Sequence, residues 1–178
     1  SRTLALAAPA VALTTTRAAA DLFMKVDNLP GESKITTHKD WIEVLSMSFG
    51  VKNSASISAM GGIAAGKSQA GELELTKYVD SSSPALFLKC AMGEPASELK
   101  LEFERLGGAG VPVVTYRVTL NNVIVTKVEA DASDGDQLTE TVSFAYEKIK
   151  VEYYKMDSKG GISASPITVN WDFAGNTK

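Results

Sequence analysis

The sequence predicts a mainly β protein, a closed or sandwiched antiparallel barrel with one short helix packed outside it. Three observations carry this: apolar residues recur with a period of two through most of the chain, an Asp-Gly pair separates two long alternating runs, and a single segment carries helix punctuation. The 178 residues correspond to one domain able to bury roughly 70% of its unfolded surface, so no disulfide or metal is needed to hold it. Apolar residues at 44% and charged residues at 22% exclude the disordered class and a multi-span membrane protein. With 18 basic against 21 acidic side chains the net charge is -3, which gives no electrostatic drive toward nucleic acid or anionic lipid. One Cys and one His exclude an internal disulfide and a Cys/His zinc site.

Residues 1–20 stand apart. They contain no acid, two arginines (Arg2 and Arg17), an apolar run from Leu4 to Leu13 and the triplet Ala18-Ala19-Ala20, the layout of an export signal cut before Asp21. The run is shorter than the ~20 apolar residues a spanning helix needs. We therefore expect residues 1–20 to be a signal-like or N-terminal extension and 21–178 to be the barrel domain.

From Asp21 onward strands dominate. In DWIEVLSMSFGV, Trp41, Leu45, Met47, Phe49 and Val51 share one parity and predict a strand buried on that face. GELELTKYV sets Leu73, Leu75 and Val79 against Glu72, Glu74 and Thr76. ELKLEFER sets Leu99, Leu101 and Phe103 against Lys100, Glu102 and Glu104, so both read as half-buried antiparallel strands. Between 52 and 71 the chain is rich in Gly, Ala and Ser and reads as a flexible loop. SSSPALFLKCAMG offers Ser83 as N-cap, Pro84 at the first helical position and Gly93 past the end. Residues 113–130 and 138–154 predict a long hairpin turning at Asp134-Gly135. In its second arm the apolar parity moves from Val142, Phe144 and Tyr146 to Ile149, Val151 and Tyr153, which predicts a bulge or a strand that changes its buried face. Ile167, Val169, Trp171 and Phe173 mark the last strand, after a Gly160-Gly161 linker.

No constellation of residues assembles an active site. GGIAAGKS at 61–68 matches the phosphate-loop pattern, with Lys67 in the phosphate-binding place. That loop works only between a buried parallel strand and a helix N-terminus, and here VKNSASISAM precedes it and an alternating strand follows, so the reading is a loop that lies along another subunit. His38, in a polar lead-in, reads as a surface or structural hydrogen-bonding residue, and Cys90 as a small buried hydrophobe. Asp131, Asp134 and Asp136 surround a turn: set as a calcium loop on Gly135, the first and third positions fall on Ala130 and Ala132. Glu72, Glu74, Glu102 and Glu104 read as a solvated face. Neither catalysis nor a cofactor is expected.

From Asp21 to Lys178 the chain resembles the Hcp family, the hemolysin-coregulated proteins that build the inner tube of type VI secretion systems. DLFMKVDNLPGES followed by His38 and WIEVLSMSFGV resembles the family's first two strands. LELTKYVDSSSPALFLKCAMG resembles its strand-to-helix signature, LTETVSFAYEKIKVEYY its long C-terminal strand, and GGISASPITVNWDFAGNTK its Gly-rich, Trp-Asp ending. The resemblance implies two sheets forming a barrel flanked by a helix, six copies in a ring, and rings stacked into a hollow tube that carries effector proteins and meets sheath and spike proteins. It also implies no enzymatic activity. The Gly-rich segment falls where the family carries an extended loop, and Asn53, Gly61, Gly62, Gly66, Lys67 and Gly71 are the expected ring-stacking residues. Family members assemble in the cytoplasm and leave without a cleavable signal. The prefix therefore raises an alternative, an exported protein forming rings or filaments without a sheath, or a secreted carrier barrel that does not polymerise.

Overall fold

Alternating sequence becomes antiparallel sheet over more than half of the computed structural model, which describes residues 20–57, 61–132 and 137–178. The strands are β1 (Ala20–Val26), β2 (Ile42–Val44), β3 (Ser46–Ser48), β4 (Val51–Ile57), β5 (Ile63–Ala70), β6 (Leu73–Tyr78), β7 (Ala96–Leu106), β8 (Pro112–Asp131), β9 (Thr139–Tyr153) and β10 (Ile167–Asp172). The helix α1 is Ser83–Met92, and a 3-10 turn spans Thr36–His38. Of the expected prefix 1–20, residues 1–19 lie outside the described residues and Ala20 opens β1; Asp134, Gly135 and Asp136 of the hairpin turn also lie outside them. No helix among the described residues is long and apolar enough to cross a membrane.

The main sheet runs β2-β1-β7-β8-β9-β6-β3, with β10 on β9, and β4 and β5 form a separate pair. β2 and β3 sit at opposite ends of this order although Leu45 alone separates them in the chain. The sheet therefore curls until its edges meet at that residue, whose N–H donates to Thr76 O at 2.8 Å, and the result is a nearly closed barrel. This corrects the single strand expected across 41–51. The backbone changes sheet edge at Leu45, so Ile42 and Val44 turn into the core while Leu45 and Val51 are exposed.

Long strands serve both halves of the barrel. β9 pairs with β6 through 139–144 and with β10 through 148–153, while β8 follows it along most of its length. The parity change in β9 is the second of the two expected forms. Its register against β8 is unbroken from Tyr146↔Val123 to Ile149↔Leu120, and the strand changes the face it buries. The register shift lies instead on β8, between Val125 and Lys127.

Inside the barrel, Met24, Ile42, Leu73, Leu75, Leu99, Leu101, Val118, Leu120, Val142 and Phe144 interdigitate, and Leu86 from α1 joins them. Each such side chain contributes about 1.5–3 kcal/mol by leaving water. The helix ends at Gly93, whose φ of 64° is the left-handed cap that glycine adopts most readily. Its start differs from expectation. Ser82 is the N-cap and makes no side-chain capping bond, because its hydroxyl donates to Asp80 Oδ1 at 2.5 Å, while the Ser83 hydroxyl, the expected cap, donates to the buried Glu140 carboxylate at 2.8 Å.

Candidate assembly interface

The segment read as a flexible loop is a hairpin. β4 and β5 pair from Val51↔Ala70 to Ile57↔Ile63, interrupted by a bulge after Asn53, and every residue of β4 is exposed. A two-stranded ribbon with both faces in water is marginal by itself, so local features hold it together. Asn53 clasps the partner strand: its Nδ2 donates to Gly66 O at 3.0 Å and its Oδ1 accepts from Gly66 N at 3.1 Å. Gly66 is needed there, since a Cβ would lie 2.5 Å from the backbone oxygen of Ser54. Gly61 and Gly62 have φ of 87° and 123° after the tip, conformations that side chains disfavour. Gly71 closes the base by donating its N–H to Gly50 O at 2.8 Å. Gly66, Lys67 and Ser68 are consecutive strand residues, so the helix start that a phosphate loop requires is missing at this place.

The root of this arm is tied to the C-terminal segment. Trp171 Nε1 donates to Ser68 Oγ at 2.8 Å, and the Ser68 hydroxyl donates to Asn176 Oδ1 at 2.9 Å. Between root and barrel lies an apolar groove of about 500 Å³ whose walls include Phe49, Val51, Ile149, Val151, Val169 and Trp171. The alternation of β10 was legible in sequence, but Ile167 and Val169 are exposed. On another flank α1 exposes Phe87, Leu88 and Met92.

Two buried polar clusters account for the remaining candidates. The segment before β2 crosses the outer face of β1 and β7 and stacks His38 flat on Phe23, with ring centroids 4.3 Å apart. His38 Nε2 is 2.8 Å from Glu102 Oε2, and Nδ1 is 3.0 Å from Thr37 Oγ1 and 3.4 Å from Glu104 Oε1. Glu102 also accepts from Arg117 Nε at 2.6 Å. Burial alone would raise the Glu102 pKa, but the hydrogen bonds from His38 and Arg117 outweigh it and hold the carboxyl below its ordinary value. Thus His38 has the structural hydrogen-bonding role and is buried. Glu102 and Glu104 are not the solvated face expected of them, because a covering segment 64 residues away in sequence closes over that side of the sheet.

The second cluster escaped the sequence reading. Lys77 takes the next inward position of β6 after Leu73 and Leu75 and is fully buried. Its Nζ lies 2.8 Å from both Asp80 Oδ1 and Glu140 Oε1 and 3.1 Å from Ser83 Oγ, which ties β6, β9 and the start of α1 together. Both clusters join charges to partners within the fold and leave no nucleophile beside a base at an open cavity. Cys90, half-buried, packs against the apolar core. Among the described residues no group of three or more His, Cys, Asp or Glu is placed to hold a metal ion.

Residues 23–153 match the family model described as "Type VI secretion system effector, Hcp". The protein Hcp1 of Pseudomonas aeruginosa is 34% identical over 161 residues, covering 90% of this chain and 99% of that one. The solved structure of a type six secretion system protein superposes with a TM-score of 0.82 at 28% identity, covering 88% of this chain and 98% of that chain. Hcp1 from Salmonella typhimurium gives a TM-score of 0.73 at 30% identity, over 90% and 99% of the two chains.

Proposed function

The chain belongs to the Hcp family of type VI secretion proteins, a family of secretion tube subunits and not of enzymes, and on that premise we propose that it works by assembly: six copies close into a ring, and rings stack into a hollow tube able to carry small effector proteins. The observation that carries this reading is the β4–β5 arm, an ordered pair of strands with almost no buried surface in its own chain and open backbone edges. A ribbon of that kind gains stability by lying against another copy. Asn53, Gly61, Gly62, Gly66 and Gly71 shape it, Lys67 lies along it, and together they form the ring-to-ring contact. The exposed apolar residues of α1 and β10 supply further surface for neighbours, as expected where several copies meet. Sheath and spike proteins are the heterologous partners of such a tube.

Sedimentation velocity with electron microscopy of the purified chain tests this reading. Rings or tubes are expected, and a chain that stays monomeric at micromolar concentration overturns it. A second reading is favoured by the composition of residues 1–20, with their two arginines, absence of acids and Ala triplet: export by a general route, followed by ring or filament formation without a sheath. The intact mass of the secreted protein separates the two, since cleavage before Asp21 belongs to the second.

A further inference from the structure

One face of the main sheet carries its charges in an order that folding alone does not favour. On the side of β1, β7, β8, β9 and β10 turned away from the core, the strand register lines side chains up in transverse rows. One row runs Glu102, Arg117, Glu152, and another runs Glu98, Asn121, Lys148, Asp172. In both, acid meets base across the strands: Arg117 Nε is 2.6 Å from Glu102 Oε1, and Lys148 Nζ is 3.1 Å from Asp172 Oδ2. The row between them reads Lys25, Lys100, Thr119, Lys150, Asn170 and holds no carboxylate. Lys25 stands directly opposite Lys100, a like-charge pair that works against the sheet. The Lys25 ammonium lies over the Trp41 ring, while Lys100 and Lys150 lean along their own strands toward Glu98 at 3.3 Å and Glu152 at 3.0 Å. Pairs this exposed are weak and exchange readily for a better partner. Lys100, Thr119, Lys150 and Asn170 also line one open depression of about 570 Å³.

The spacing of the row says what fits it. Strands lie about 4.8 Å apart, so the three intervals from Lys25 to Lys150 cover roughly 14 Å in a track one residue wide. An extended peptide advances about 3.3 Å per residue, and acidic side chains at every second position place three carboxylates along roughly 13 Å. Such a chain meets Lys25, Lys100 and Lys150 together. Its backbone N–H groups can donate to the Glu98 and Glu152 carboxylates that border the track, whereas a phosphodiester backbone has no donor to offer them and would set its charges against theirs. The net charge of -3 also opposes a nucleic acid strand.

We propose that the row Lys25, Lys100, Thr119, Lys150, Asn170 is a docking track for an extended acidic segment of a partner protein. The inference goes beyond ring and tube formation, since it assigns a surface to a protein other than this one.

The test is fluorescence anisotropy on the full chain, with a labelled peptide carrying glutamate at every second position as probe. Saturable binding that weakens severalfold between low and physiological salt is expected, and the same peptide with glutamine at those positions should not bind. Lys100→Gln combined with Lys150→Gln should lower the affinity about tenfold or more, while Lys127→Gln, outside the row, should leave it unchanged. Lys100→Arg combined with Lys150→Arg keeps the charge and should stay within about twofold of the parent, which separates lost pairing from a damaged fold. The proposal is overturned if the glutamine double variant binds like the parent, if oligothymidylate of equal charge binds as tightly as the peptide, or if the peptide binds the free chain but not assembled rings, which would assign this face to a second copy. A chain that never assembles overturns the tube reading and leaves the peptide measurement intact.

Discussion

Two hairpins in this molecule obey the same backbone rules and end in opposite environments. The β8–β9 hairpin sends Val118, Leu120, Val123, Val125, Val142 and Phe144 into the core, while the β4–β5 hairpin also pairs along its length and reaches that core only through Ala70 at its base. The difference teaches that strand pairing does not mark what is finished. β8–β9 completes its burial inside one chain, whereas β4–β5 has satisfied its cross-strand hydrogen bonds but not its apolar tip or outer edges. The barrel should therefore respond to substitution as stability, and the arm as assembly.

The sharpest probe of the barrel side is Lys77→Ala. It leaves Glu140 and Asp80 without their buried cation and should cost about 3–5 kcal/mol, read as a lowered urea midpoint at constant slope. A shift below 1 kcal/mol would mean that the cluster is not the tie between β6, β9 and α1 described above. Next comes Glu102→Gln, which weakens charge-assisted bonds to His38 and Arg117 and should cost about 1.5–3 kcal/mol at neutral pH. Because the folded pKa of Glu102 is lowered, its contribution is complete above the ordinary value of 4.5 and is lost as pH falls through the folded value. Urea midpoints of parent and variant should thus converge in acid, and curves that stay parallel would remove the assigned role.

Effects on the arm should be smaller in the free monomer. Trp171→Phe removes the bond to Ser68 and should cost about 0.5–1.5 kcal/mol, with faster amide exchange concentrated in β5. Asn53→Ala breaks only exposed bonds to Gly66 and should leave the barrel within about 0.5 kcal/mol of the parent while exchange in the arm quickens. If either substitution melted the barrel, the contrast between the two hairpins would fail.

How much of this was legible in the sequence follows from the same contrast. Strands with one face in the core announce themselves by alternation, which is why Leu73, Leu75, Leu99 and Leu101 were placed correctly. A ribbon wet on both faces has no hydrophobic period, and VKNSASI with IAAGKSQA therefore read as loop. The β-branched residues Val51, Ile57 and Ile63 flanking Gly61-Gly62 were the available signal. Lys77 shared the parity of Leu73 and Leu75, but its partner Glu140 lies 63 residues away, and a lysine at an inward position reads as a break in pattern until that partner is found. Glu102 and Glu104 misled for the reverse reason: alternation places them outside the barrel, and nothing local shows that His38 and its segment cover them.

Leu45 joins two sheet edges with no slack. A slip of one residue between β1 and β2 would expel Ile42 and Val44 from the core and drag β3 out of step with β6, since a single residue links the two pairings. Neither edge can change its register without the other, so the seam at Leu45 locks both pairings at once and the closure of the barrel depends on a single residue.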